Sequence, residues 1–365
     1  MSERPVHWLE PDAAAWDAFV ERARYGAFTQ LSGWGELKAA SGWRVTRVAV
    51  GRAGESGDRV PVAGVQLLSR RVPLLGWRLA YAARGPVGEL DDPAVLAALV
   101  EGVRAVGVQE RIATLRADPE VGPAEPYGEA LLRPPWRRGR GIQAAWTRLV
   151  DLTLPEEQLR AQLRRKHRQY IAKAQRGGVA VERLSPADAI APARLAQVLA
   201  DFYAIVSSTA RRTGFTIRDA AYYERAWHAF AAGDRCRLYF ALVDGVRLAT
   251  IFHFLCGTRA VEAWGGMVEP GGESRANYLL KWQSMMDLRA EGFATYDMWG
   301  IASGGIRQFK EGFGGREVRY VGARELALSA VGDRAVRLAV GGYGAWQRLR
   351  ARLRGERAPD SAEAV

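Results

Sequence analysis

RLYFALVDGVRLATIFHFL, residues 237–255, sets the frame for the rest of the chain. Two runs of aromatic and branched side chains meet at Asp244-Gly245. Asp-Gly between such runs marks a two-residue β-hairpin turn, because both central positions take positive φ. AVEAWGG (260–266) then reads as a third strand, followed by a helix from about Ser274 to Glu291 and a strand in ATYDMW (294–299).

The same order stands earlier in the chain. GWRVTRVAVG (42–51) and VPVAGVQLLSRRV (60–72) flank a Gly/Ser/Asp-rich turn. A strand in WRLAYAARGP (77–86), a helix in DDPAVLAALVEGVRAVGV (91–108) and a strand in RIATLRADP (111–119) follow. Hairpin, strand, helix, strand occurring twice predicts a tandem duplication of α/β (α+β) domains, at 1–150 and 151–365, with mixed twisted sheets flanked by helices. This order is similar to the core of the Gcn5-related N-acetyltransferase (GNAT) fold. A length of 365 residues also favours two cores over one.

Lys and Arg outnumber Asp and Glu by 52 to 40, a net charge of +12, which suits a polyanionic partner or an anionic surface. A basic composition without such a partner is the other explanation. Cys236 and Cys256 lie in no metal-ligand pattern, and the scattered His7, His167, His228 and His253 nominate no metal site. His253 reads as a packed or solvent-facing strand residue, not a base. Neither a signal-like start nor an apolar run long enough to span a bilayer is present, so a cytoplasmic location is expected. GxxxxGK[ST], HExxH, GxSxG and paired CxxC are all missing, which removes the usual support for NTPase, zinc-protease and serine-hydrolase chemistry.

Between the two units, residues 155–176 read as one basic helix. Thr153 and Glu156 suggest a capping box, Leu159, Leu163, Tyr170, Ile171 and Ala174 form an apolar stripe, and Gly177-Gly178 ends it. Arg160, Arg164, Arg165, Lys166, Arg168, Lys173 and Arg176 give it one sign of charge, for contact with phosphate or as a solvated face. A second amphipathic helix is expected at about 326–354, on a membrane surface or against the body. GNAT enzymes hold the coenzyme A pyrophosphate on main-chain amides between a strand and a helix. The corresponding turns, ARGPVGELDDPA and GGMVEPGGESRA, match that loop poorly, and the first has a proline where an amide is wanted.

Seven segments, in order, resemble the Fem transferases (FemA, FemB, FemX). They are FTQLSGWGELKAASGW (28–43), YAARGPV (81–87), LRADPEV (115–121), LRRKHRQYIAKAQRGGV (163–179), STARRTGFTIRDAAYY (208–223), YDMWGI (296–301) and FKEGFGG (309–315). The resemblance implies two GNAT-like domains, no metal and no coenzyme A. It implies transfer of an amino acid from aminoacyl-tRNA to an amine of a UDP-linked or lipid-linked peptidoglycan precursor. It gives Lys310 as the cation facing the oxyanion, against a plain surface lysine on a glycine-rich loop, and Asp118 as the base, against a turn aspartate of the kind Asp-Pro favours. Lys38 and Arg212 would contact precursor phosphates or sugar, Trp34 and Trp264 would wall its cleft unless Trp264 is a core residue of its strand, Arg84 would serve the same groove or close a turn, and Tyr223 would serve the groove. Asp297 would orient a lysine or cap a turn. The basic helix offers the strongest positive surface for a tRNA, so Arg164, Arg165, Lys166, Arg168 and Lys173 are expected to meet its phosphates. Trp264 stands where many relatives have tyrosine, and Met298-Trp299 where Phe-Gly is common.

The chemistry sets its own demands. A lysine-like acceptor amine is about one part in 10³ neutral at pH 7, a penalty of roughly 4 kcal/mol, so a carboxylate or a relay must take its proton. A fixed cation stabilises the tetrahedral oxyanion. Three other readings stay open from sequence: the same donor with a lipid, protein or metabolite acceptor; an acyl-coenzyme A transferase; and a catalytically silent tRNA- or membrane-binding protein. A peripheral position on the inner face of the cytoplasmic membrane goes with several of these.

Overall fold

The computed structural model describes residues 6–53, 59–301 and 304–339. They form two compact units: the described residues up to Ala145 together with those from Arg319 on, and those of Trp146–Val318.

In the first unit the strands are β1 (Val6–Leu9), β2 (Arg44–Ala53), β3 (Arg59–Arg71), β4 (Arg78–Ala82), β5 (Val87–Gly88), β6 (Ile112–Ala117) and β7 (Arg137–Arg138), with β15 (Arg324–Ala327) arriving after the second unit. Their order is β1-β2-β3-β4-β6-β15-β7, and β5 pairs with β3. The helices are α1 (Ala13–Arg22), α2 (Ser32–Ala39), α3 (Pro93–Gln109) and α4 (Pro126–Leu131). Helix α3 starts at an Asp92 cap followed by Pro93 and buries Val95, Leu99, Val103 and Val106 against the sheet. It carries the chain from β4 to β6, which run parallel.

The second unit repeats the plan. Its strands are β8 (Trp146–Asp151), β9 (Ala180–Leu184), β10 (Cys236–Val243), β11 (Val246–Cys256), β12 (Arg259–Met267), β13 (Thr295–Asp297) and β14 (Arg316–Arg319), ordered β14-β8-β13-β12-β11-β10-β9. Its helices are α5 (Glu156–Gln162), α6 (Arg165–Arg176), α7 (Pro192–Thr213), α8 (Ala220–Ala231), α9 (Glu269–Glu273), α10 (Ala276–Ala290) and α11 (Gly305–Glu311). The Asp244-Gly245 hairpin forms as expected, both residues at positive φ. Helix α10 links β12 to the parallel β13, as α3 links β4 to β6. The expected α/β duplication is therefore present. Strand β13 pairs with only Arg259–Val261, although β12 runs on to Met267. A bulge sits where these strands part: Phe252 pairs with Trp264 and His253 with Glu262, leaving Ala263 as the extra residue.

Three expectations need correction. The C-terminal stretch was expected to extend the second domain as a helix over about 326–354. Instead Arg324–Ala327 is a strand of the first unit, bound by the β6 ladder and by Glu325, which pairs with Arg116 and Arg137. Residues 330–339 are helical, and the remainder of that stretch lies outside the described residues. The basic helix is two helices: Leu163 and Arg164 are extended, and the Arg164 amide donates to the Gly312 carbonyl at 2.9 Å instead of continuing the helix. No Thr153–Glu156 capping box forms, because the cap residue is Pro155 and Thr153 turns back to Asp151.

Candidate functional site

FKEGFGG folds back against α6 and α10 through its apolar residues. His167 is buried between the rings of Tyr278 and Phe313, with centroids at 5.0 and 4.9 Å. Its Nε2–H donates to the Phe309 carbonyl at 3.0 Å, and burial lowers its pKa, so the ring is neutral. Gly312 has no room for a side chain, since a Cβ there would come within 1.8 Å of the imidazole.

This packing aims Lys310 the other way. Its Nζ donates to the carbonyls of Met298, Trp299 and Gly300 at 2.6, 2.8 and 2.7 Å. Those carbonyls converge because Trp299 and Gly300 are both left-handed, at φ 45° and 63°. The buried Asp297 supports the turn by accepting from the Trp299 amide at 2.8 Å, while its other partners are Thr147 and the Arg259 guanidinium. Burial pushes the Lys310 pKa down to about 8, with Lys281 acting the same way and Glu262 and Asp297 opposing. Three carbonyl acceptors favour the ammonium, so the group is a charged clamp on this turn at neutral pH.

The bulge supplies residues that the sequence reading missed. Glu262 accepts from Lys281 Nζ at 2.5 Å and from the Tyr296 hydroxyl at 2.6 Å, and His253 Nε2 contacts that hydroxyl at 3.0 Å. Lys281 and Tyr296 are almost wholly buried. Burial alone would raise the Glu262 pKa, but Lys281 and Lys310 outweigh it, so the group is a carboxylate with a lowered pKa. Burial drives His253 down to about 3, and it is neutral. Lys281 and Lys310 are thus two ammoniums around one carboxylate, while Asp297 is matched by Arg259. One positive charge is left over where β12 and β13 part. The sequence signal was a lysine in step with Met285 and Leu288 on the buried stripe of α10.

Other second-unit candidates are placed apart by burial. Trp264 is half-buried and packs edge-on against Tyr223 at 4.9 Å, whereas Tyr223 itself is core. Arg212 is exposed on the last turn of α7. On α6, Arg165, Lys166 and Lys173 are exposed and carry no ion pair among the described residues. Arg164 pairs with Glu311 at 2.9 Å, and Arg168 donates to the Leu163 carbonyl. A groove lined by Leu149, Asp151, Gln162, Thr295 and Arg316 holds none of the candidates.

In the first unit, Lys38 Nζ lies 4.5 Å from the buried Trp34 ring. Arg84 is buried at φ 53°, next to the cis Gly85–Pro86 bond, with Nε 3.2 Å from Glu120 and Nη2 donating to the Ala144 carbonyl. Asp118 accepts from Tyr81 Oη, the Arg84 amide and the Gln143 amide at 2.7, 2.9 and 3.2 Å. Burial raises its pKa against the pull of Arg84 and these donors. Asp118 and Arg84 therefore meet, as anchors of one turn.

The β12–α10 connection turns several of its amides onto its own carbonyls. The amides of Val268, Gly271, Ser274 and Arg275 donate to Leu248, Val268, Pro270 and Gly272 carbonyls, so they are not free for phosphate oxygens. Among the described residues, no group of three or more His, Cys, Asp or Glu side chains could hold a metal.

The acetyltransferase (GNAT) domain profile matches residues 158–311, and the FemAB family profile matches residues 12–126. The FemAB match lies within the first unit and the GNAT match within the second. The chain is 28% identical over 210 residues to the lipid II:glycine glycyltransferase of Staphylococcus aureus, covering 54% of this chain and 46% of that protein. It thus spans about half the length of that relative. The crystal structure of FemX superposes with a TM-score of 0.80 at 19% identity, over 92% of this chain and 99% of that one. A tandem GNAT protein from the clavulanic acid pathway gives 0.50 at 14% identity, over 89% and 98%. Both units are GNAT-like.

Proposed function

We propose that this protein is an aminoacyltransferase that moves an amino acid from aminoacyl-tRNA to an amine on the stem peptide of a peptidoglycan precursor. The observation that carries this reading is the unbalanced positive charge of Lys281 and Lys310 around Glu262, at the parting of β12 and β13. In aminolysis of an ester, the amine nitrogen bonds to the acyl carbon, the carbonyl oxygen becomes an oxyanion, and the tRNA ribose oxygen leaves with a proton. The surplus charge stabilises that oxyanion in a water-poor setting.

Because all three Lys310 protons are on carbonyls, its contribution is a fixed charge unless the 298–300 turn shifts as substrate binds. The occupied oxygens of Asp118 favour a turn anchor over a free base, although a carboxylate's roughly four acceptor sites leave one open. The occupied amides after β12 favour a donor other than an acyl-coenzyme A. The unpaired cations on α6 suit tRNA phosphates. The similarity to a glycyltransferase named for lipid II favours a lipid-linked acceptor over a soluble one. Such a donor places the reaction in the cytoplasm.

The test offers tRNA charged with labelled amino acids together with UDP-linked or lipid-linked muropeptide. RNase-sensitive transfer to the muropeptide is expected. Transfer that needs acyl-coenzyme A and ignores RNase would overturn the proposal.

A further inference from the structure

The end of the first unit where β3 turns into β4 carries an apolar tip among arginines, and we propose that it docks the protein on an anionic lipid bilayer. Leu74 at the tip is completely exposed and sits on a backbone with φ 67°, a conformation that bulky side chains avoid. Among the described residues nothing covers this strained, exposed apolar side chain. Beside it, Trp77 lies under the Arg111 guanidinium at 5.1 Å and against Gly332, where a Cβ would come within 2.8 Å of the indole.

These contacts join three elements into one surface. Val108, at the end of α3, accepts the Arg111 amide and is 79% exposed. Val331 and Leu338 share an outer face of the helical stretch 330–339 at 75% and 70% exposure. Arg70, Arg71, Arg111, Arg334 and Arg337 are exposed around them. The nearest carboxylates in sequence turn inward: Glu110 pairs with Arg44, and Asp333 with Arg137. A projecting leucine ringed by guanidiniums matches a fluid interface with phosphate headgroups outside and hydrocarbon beneath. The surface takes no part in the proposed transfer and involves none of its residues.

The experiment is sedimentation of the whole chain with phosphatidylcholine vesicles, with and without 30% phosphatidylglycerol. Binding at least about ten-fold tighter to the anionic vesicles is expected, as is a loss of about five-fold or more in Leu74→Glu and in Arg70→Gln/Arg71→Gln. Val246→Glu, at an exposed hairpin of the second unit, is expected to leave binding unchanged. Transfer to a soluble UDP-linked acceptor stays at the wild-type rate in the Leu74 variant, so a failed transfer reading and a failed docking reading give different results. Indifference to phosphatidylglycerol, vesicle binding by Leu74→Glu equal to wild type, or a dimer that dissociates on Leu74→Glu would each overturn the proposal.

Discussion

Lys310→Met keeps most of the side-chain volume and removes the charge. Folding with a pKa of about 8 in place of 10.5 costs about 3 kcal/mol at neutral pH, a cost that the uncharged side chain escapes, while the three carbonyls lose their donor. The variant is therefore expected to stay within about 2 kcal/mol of wild-type stability. Between about pH 8 and 10 the folded chain binds fewer protons at this site than the unfolded chain, so wild type gains stability there relative to the variant. Turnover behaves differently: losing a placed cation costs about 10²- to 10³-fold in kcat. The assay is single-turnover transfer of labelled amino acid across pH. On the proposed role, wild type is expected to lose activity as pH rises through about 8, because the ammonium is the form that stabilises the oxyanion. Lys310→Arg, charged throughout, lacks that falling limb even if its fork fits the turn poorly and lowers the plateau. A methionine variant with wild-type turnover, or an arginine variant that keeps the falling limb, would refute the assignment.

Other perturbations reach different parts of the molecule. Glu262→Gln strands the Lys281 ammonium in the core and is expected to cost about 3–5 kcal/mol in urea unfolding, much of it recovered by adding Lys281→Met; an unaltered midpoint in the single variant would contradict the pairing. Gly312→Ala drives a methyl into the His167 ring and is expected to lose about 1–3 kcal/mol and most of the transfer activity, readable from a melt and one rate. Replacing Arg165, Lys166 and Lys173 with glutamine lowers the slope of log tRNA affinity against log salt by about 2 to 3, and an unchanged slope removes α6 from the tRNA surface. Asp118→Asn is expected to lower the melting temperature more than kcat; a thousand-fold kcat loss with an unchanged melt would restore the base.

The duplicated fold was legible because its marks are local. Asp244-Gly245 fixes a hairpin, and the Asp92-Pro93 start fixes α3. Strand β15 was not, since four residues with Leu326 inside read equally well as part of an amphipathic helix until Arg116 and Arg137 are placed around Glu325. The break at Leu163-Arg164 was likewise hidden, because its cause is a carbonyl at Gly312, far along the chain. Lys310 stood out through its glycines and phenylalanines. Glu262 did not, because its meaning comes from a one-residue bulge and from a lysine on another element. Sequence periodicity shows which face of an element is buried; it does not show which charges meet there.

The position of β15 between β6 and β7 also constrains synthesis. While the ribosome is still making residues 146–318, β6 presents a bare edge and β7 has no neighbour to hold it. The nascent first unit is thus an unfinished sheet throughout the translation of its insert, open to pairing with any other extended chain. Stalling or truncation after the second unit would leave that unit able to fold and the first exposed to aggregation.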